Sequence, residues 1–298
     1  MSPLRGAMLA SGLVRYVAVA AVAVSLPAIA SAQAWAPCGG NSDKLWAWGW
    51  AGSNGEHVSI EHDNFGPRIV RMTDLSGNGN DFIADSDARP GYQSSFSRGG
   101  YSTSLPIVAV DTFADGNQIF RQYLNQNATM STGQFYLAFA GYESRPAGHR
   151  WLWGSSGSNR VRLNQEKNRV DVTIGGGEHQ LSVDGAWSDG PVLIEVWRDA
   201  SNRLTVVVNG SDRTDGNVTN SATFNLSGIG GGAASGGSAW DDYAFEYIAC
   251  DGLPTSTQRD EAREYLRDKW DLFGQVSPPP PPPPPTPTPN PPTDLVVE

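Results

Sequence analysis

Residues Phe245 to Leu272, FEYIACDGLPTSTQRDEAREYLRDKWDL, decide the fold because they join a strand to a capped helix. Phe245, Tyr247 and Ala249 alternate with Glu246, Ile248 and Cys250, a period of two that ends at Asp251-Gly252 and reads as a strand leaving a sheet through a turn. The period then changes. Thr255 and Gln258 make a capping box, in which side chain and backbone satisfy each other's orphan donors, and Pro254 discourages an earlier helical start. Ala262, Tyr265, Leu266 and Trp270 share one helical face, leaving Arg259, Asp260, Glu261, Arg263, Glu264 and Arg267 to solvent. One helix therefore packs on one sheet.

Working outward, Val192–Arg198 and Leu204–Asn209 flank Asp199-Ala-Ser-Asn202, a hairpin signal. Phe135–Tyr142, Arg160–Leu163 and Val170–Ile174 read as strands, as do Ser102–Val110 and Gln118–Tyr123. The segment Lys44-Leu-Trp-Ala-Trp-Gly-Trp50, if extended, puts Trp46, Trp48 and Trp50 on one face. With 34 glycines, ten tryptophans and one convincing helix, the composition fits a turn-rich β domain.

Three motifs carry a family resemblance. Asp74-Leu-Ser-Gly-Asn-Gly-Asn-Asp81, Val208-Asn209-Gly210, and Glu246 with Tyr265, Leu266, Lys269 and Trp270 together resemble the bacterial laminin-G-like branch of the concanavalin A-like lectin/glucanase superfamily, over roughly Val70 to Leu272. Met72-Thr73 stands where that family commonly has a tryptophan. The resemblance implies an all-β, concanavalin A-like jelly-roll sandwich of two antiparallel sheets with one short C-terminal helix. It does not choose an activity, because such folds serve lectins, glycosidases and adhesive modules alike.

The ends of the chain carry separate signals. Arg5 and Arg15, an apolar run from Val17 to Val24, and Ala30-Ser31-Ala32 form the pattern of a secretory signal peptide over residues 1–32, too short for a membrane span. No later segment is apolar for long enough to form a spanning helix, so the exported chain is expected to be soluble. One domain is expected over 33–275. Eight prolines, Pro278 to Pro285, open an extended linker over 276–292, and 293–298 is a tail or the start of a further domain. Cys38 and Cys250, the two cysteines of a chain bound for an oxidising compartment, are expected to pair. Two buried thiols are the alternative. So long a loop, once closed, is stabilised by about 4–5 kcal/mol in the chain-entropy picture.

The formal charge is -10, and -12 once the leader's two arginines are removed. An acidic chain without a basic cluster interleaved with aromatics is a poor nucleic-acid binder, so no nucleic-acid partner is expected.

Glucanase chemistry needs two converging carboxylates. The nearest pattern is Glu195-Val-Trp-Arg-Asp199, but Trp197 takes the middle position and residues four apart in a strand lie about 13 Å apart. Glu246 is expected to be structural, since a buried carboxylate must be hydrogen-bonded. His57 and His62, near Glu56, Glu61 and Asp63, have a spacing that suits neither a helix face nor a strand face for a metal. Asp74, Ser76, Asn78, Asn80 and Asp85 fall at the oxygen-ligand positions of a calcium loop; the competing and favoured reading is a turn whose side chains bond their own backbone.

For glycans, flat aromatic faces and short polar groups are required. Trp240, Asp241, Asp242 and Tyr243, after the loop Gly228 to Gly237, are the first candidate, with Trp240 as the stacking ring. Trp46, Trp48 and Trp50 are the second. The expected protein is a secreted, non-catalytic module that binds a glycan or another extracellular polymer, with calcium as a candidate cofactor. A surface scaffold without sugar specificity is the rival, and a glycoside hydrolase comes third.

Overall fold

The computed structural model describes residues 37–40, 45–64, 66–84, 89–110, 114–115, 118–119, 124–144, 150–164, 168–182, 189–212, 218–230 and 242–273. The segments read from sequence as leader, linker and tail, residues 1–32 and 276–298, lie outside these. Two antiparallel layers and one helix make up the described protein, an all-β sandwich as the resemblance implied.

In the first layer, Leu204–Val208, Gly190–Arg198, Phe135–Glu143 and Asp242–Asp251 lie side by side. The free edge of Asp242–Asp251 is shared between Leu45–Trp50 and Ile107–Val110. The second layer runs from Gly177–Ser182 through Arg169–Ile174, Asn159–Leu163, Arg150–Ser156, Phe224–Ile229 and Leu124–Thr132 to the short Phe82–Ile83, then Gly66–Met72 and Val58–Asp63. Gly91–Gln93 touches both layers, pairing with Ile107–Val110 and with Arg68.

Phe135–Glu143 is buried along its whole length because it is covered on both sides. Its odd residues Phe135, Leu137 and Phe139 enter the core between the sheets, with Leu152, Trp153, Val161, Val172, Ile194, Val206 and Leu226. Its even residues Tyr136, Ala138, Ala140 and Tyr142 face a second core under the helix, with Leu193, Phe245, Ile248, Ala262, Leu266 and Trp270. Burial of apolar area on both faces is the main favourable contribution to such a strand.

The helix spans Ser256–Trp270, with the capping box in place: Thr255 Oγ1 accepts from Gln258 N at 3.3 Å and Gln258 Oε1 accepts from Thr255 N at 2.9 Å. Of the predicted face, Ala262, Leu266 and Trp270 are buried and Tyr265 half-buried, while Arg263, read as solvent-facing, turns in to pair with buried Glu195. Cys38 and Cys250 form a disulfide across Cα atoms 6.0 Å apart, next to the pairing of Leu45 with Cys250.

The strand before the helix departs from simple alternation. Ala140 pairs with Glu246 but Gly141 pairs with Ala244, so Phe245 is a bulge residue. Phe245 and Glu246 consequently both face the helix, and Phe245 does not share a face with Tyr247. Ser102–Val110 is likewise two strands, Tyr101–Thr103 and Ile107–Val110, separated at Pro106, which has no N–H to give a ladder. Of Gln118–Tyr123, only Gln118–Ile119 is described, paired with Ala114–Asp115.

Candidate functional site

The tryptophan ladder is not a ladder. Leu45 pairs with Cys250 and Ala47 with Ala249, leaving Trp46 as a bulge residue. Trp46 therefore packs on the inter-sheet core, while Trp48 and Trp50 pack under the helix. Gly49 is required between them, because a Cβ there would lie 2.7 Å from the Phe82 ring and 2.8 Å from Met72 Cε. Trp48 Nε1 donates to Glu246 Oε1 at 2.6 Å, and Trp50 meets Trp270 edge to face at 6.0 Å. All three indoles are half-buried structural groups, which corrects their reading as one aligned stripe.

Glu246 is fully buried and accepts from Trp48, Tyr265, Trp270 and Lys269. Burial, followed by the Glu246 charge, pushes the Tyr265 hydroxyl well up, so it remains a donor. The acid, tyrosine, lysine and tryptophan of the third motif thus form one polar knot between sheet and helix.

The Asp74 turn is pinned to the same strand. Asp74 Oδ1 accepts from Trp48 N at 3.0 Å and Ser76 N at 2.9 Å, and Oδ2 from Ser76 Oγ at 2.5 Å and Asn80 N at 2.9 Å. Asn78 and Asn80 donate side-chain N–H groups to Leu45 O and Trp46 O. Asp81 accepts from Asp74 N at 2.8 Å and pairs with Arg71. These oxygens are spent on protein donors, the arrangement of a side-chain-bonded turn. Asp85 lies outside the described residues. Among the described residues no group of three or more His, Cys, Asp or Glu is placed to hold a metal ion.

Of the first glycan candidate, Trp240 and Asp241 lie outside the described residues, as does the side chain of Asp242. Gly228 and Ile229 belong to the strand Phe224–Ile229, not to a loop. Tyr243 is half-buried in an aromatic patch, 4.5 Å from the Phe96 ring, with its hydroxyl accepting from Arg98 Nη1 at 3.1 Å.

Glu195 and Asp199 do not converge. Glu195 is sealed beneath the helix, where it accepts from Tyr136 OH at 2.8 Å and Arg263 Nε at 2.5 Å. Burial raises its pKa further than Arg263 and Tyr136 lower it, and the same pairing raises Arg263 despite the opposing effect of burial. Asp199 Oδ1 instead accepts Ser201 N and Arg203 N, closing the hairpin turn. His57 packs on Trp50 at 5.6 Å, and His62 lies in an exposed stretch of edge strand opposite Pro67.

The outer face of the second sheet is the surface that sequence reasoning missed. Val161, Leu163, Val170, Val172 and Ile174 point inward, so Arg160, Arg162, Arg169, Asp171 and Thr173 stand on the outside. Arg162 Nε and Arg169 Nε donate to the two oxygens of fully buried Asp171 at 3.0 and 2.8 Å. Glu178, on the neighbouring edge strand, accepts from Arg160 Nη2 at 3.0 Å and from Arg162 Nη2 through both oxygens, at 3.1 and 3.0 Å. Burial pushes the Glu178 carboxyl up, but the two arginines outweigh it and hold it below its ordinary value.

Beneath them lies Trp151. It pairs with Arg162 in register, and its ring sits over Gly154, where a Cβ would lie 3.0 Å from the indole. Arg160, the partner of Gly154, covers the ring with its guanidinium 5.2 Å from the centroid. Trp151 is thereby buried, at 3% exposure. The signal was present in the sequence only as single residues on separate strands, and register was needed to gather them.

No protein-family model matches the chain, and no curated protein sequence matches it. Several solved structures are similar in shape. An arabinofuranosidase complexed with arabinofuranosyl-α-1,2-xylobiose aligns at TM-score 0.48 and 11% identity, over 67% of this chain and 51% of that one. Domain 4 of AbnA, a GH43 extracellular arabinanase from Geobacillus stearothermophilus, in complex with arabinotriose, aligns at 0.44 and 10%, over 73% and 97%. The receptor binding domain of botulinum neurotoxin D aligns at 0.44 and 9%, over 75% and 53%. The chain spans about half the length of the first of these. Shared ligand chemistry does not follow from likeness at this level.

Proposed function

We propose that this chain is a secreted, non-catalytic carbohydrate-binding module of concanavalin A-like type, and that its ligand lies on the outer face of the second sheet. The observation that carries the reading is Trp151, laid over Gly154 on the outer sheet face, only 3% exposed because Arg160 roofs it, and bordered by Arg162, Asp171, Thr173 and Glu178, so that a ligand reaches the ring when Arg160 moves aside. A flat ring and a fixed array of polar side chains are what a sugar's C–H face and hydroxyls require. The tryptophans near Glu246 and the ring of Tyr243 are held by hydrogen bonds and by other rings, whereas Trp151 is covered by the side chain of Arg160. The laminin-G-like type is supported by the way its motifs converge: Asp74 accepts from Trp48, and Trp48 donates to Glu246.

Affinity electrophoresis through gels carrying soluble plant and bacterial polysaccharides tests the proposal. Retardation by at least one polymer is expected, lost in Trp151→Ala and in Trp151→Leu, the latter keeping apolar bulk under Arg160. Retardation that survives both substitutions in folded protein places the ligand elsewhere. Secretion is tested by N-terminal sequencing of exported protein, with Gln33 as the expected first residue.

A further inference from the structure

Resting on the reading of this face as a glycan surface, we infer that its ligand is an acidic polysaccharide whose uronate carboxylates are taken by Arg160, Arg162 and Arg169. The chain as a whole is strongly acidic, yet two adjacent strands place three arginines here against two carboxylates, Asp171 and Glu178. Asp171 is sealed beneath its two arginines, so the cluster presents more positive than negative charge to an approaching polymer. The arginine side chains are only 18, 14 and 29% exposed, and they are held in place by bonds and packing. Such preorganisation reduces the ordering cost of binding.

Donors remain for a ligand. Among the described residues, the bonds use Nη2 of Arg160, Nε and Nη2 of Arg162 and Nε of Arg169, fewer than the five N–H groups each guanidinium owns. Arg160 is the member that can exchange partners. Its Nε is buried without a partner, and the Glu178 carboxylate keeps Arg162 on both oxygens when Arg160 leaves. Directly opposite Arg160 in register stands Thr173, whose Oγ1 is also buried and unpartnered.

A rotation of Arg160 toward a ligand carboxylate therefore exchanges one carboxylate for another, uncovers the Trp151 ring for the sugar, and opens the Thr173 hydroxyl to a sugar oxygen. A planar fork suits a carboxylate, which can accept two parallel N–H bonds. A neutral glycan offers only hydroxyls, and these do not offset the loss of the Arg160–Glu178 pair.

Isothermal titration of the full chain tests this with oligomers of galacturonate, glucuronate and alginate uronates, each compared with its carboxyl-reduced neutral form, in low and high salt. Binding of at least one acidic oligomer is expected, weaker by roughly tenfold or more after carboxyl reduction and weakened by salt. Arg160→Gln leaves Asp171 with both its arginines and is expected to lose roughly tenfold for the acid form with an unchanged melting temperature. If it melts early, Arg160→Lys, which keeps the charge but not the fork, is expected to show the same loss. Equal binding of acidic and reduced forms overturns the uronate assignment and leaves the glycan reading standing. Tighter binding of a sulfated glycan or of single-stranded DNA than of any uronate also overturns it. If no acidic, reduced or neutral polymer binds, the glycan reading itself fails.

Discussion

The Lys269 ammonium stands 2.8 Å from Glu246 Oε2 and 3.2 Å from the centre of the Trp50 ring, bridging the helix, the last strand and the first strand at one point. Burial pulls Lys269 below its ordinary pKa, and Glu246 pulls it back only in part. Glu246 is fully buried and takes four donors, so Glu246→Gln would set an amide N–H against the N–H and O–H donors of the knot and remove the negative charge beside Lys269. A loss of about 3–5 kcal/mol in denaturant unfolding is expected, the cost of a buried charge left without its partner. A change under 1 kcal/mol would mean the knot is not what closes the helix on the sheet.

The Asp74 turn is expected to hold without calcium. Both carboxylate oxygens already accept two bonds each, two of the four donors being Trp48 N and Asn80 N. Asp74→Ala is expected to cost about 1–3 kcal/mol, because buried N–H groups lose their acceptor. Chelator is expected to leave the wild-type melting curve unmoved. A rise of several degrees on adding calcium, reversed by chelator, would show that the turn rearranges to bind the ion.

Much of this was legible from local pattern. The capping box at Thr255 and Gln258, the Asp199 hairpin and the helix face of Ala262, Leu266 and Trp270 are set by neighbours in the chain, and the disulfide followed from two cysteines and a closed sandwich. The errors fall at bulges. A single extra residue at Trp46 and another at Phe245 shifts side chains to the opposite face, and nothing local in WAWGW or FEYIAC marks the slip. Val58–Asp63 escaped notice because an edge strand carries exposed polar residues, and Arg150–Ser156 because its register also slips, between Trp151 and Trp153. The arginine face was hidden for another reason: Arg160, Arg169 and Glu178 stand on three successive strands, and only the register of the ladder puts them side by side.

Glu195 gives a pH signature as well as a catalytic one. Its pKa is raised above the usual 4.5 on folding, so the folded state holds the proton more tightly than the unfolded chain. The stability this contributes is complete below about pH 4.5 and is lost as pH rises through the folded pKa. The stability difference between wild type and Glu195→Gln is therefore expected to shrink on going upward from pH 4.5, measured by urea unfolding at several pH values. A difference that grows instead would assign the ionised form as the stabilising one. Sealed against Arg263 and Tyr136, Glu195 is also expected to support no hydrolysis, so reducing-sugar assays on glucans, xylans and arabinans should remain at background for both proteins.

Thr173 separates packing from binding on the arginine face. Its Oγ1 is buried and has no partner, and Val keeps the shape of the side chain while removing the orphan hydroxyl. Replacing an unsatisfied polar group by an apolar one of equal shape is neutral or stabilising, so Thr173→Val is expected to melt at or slightly above wild type, by up to about 1 kcal/mol. The same change removes the group that faces Arg160 across the ladder and is opened when that arginine turns to a ligand. Affinity for the best uronate oligomer is then expected to fall several-fold, with the dependence on salt unaltered because no charge is lost. Early melting would show that the hydroxyl has a partner in solution. Unchanged affinity in a stable Thr173→Val protein would remove Thr173 from the binding face and confine the contact to the three arginines and Trp151.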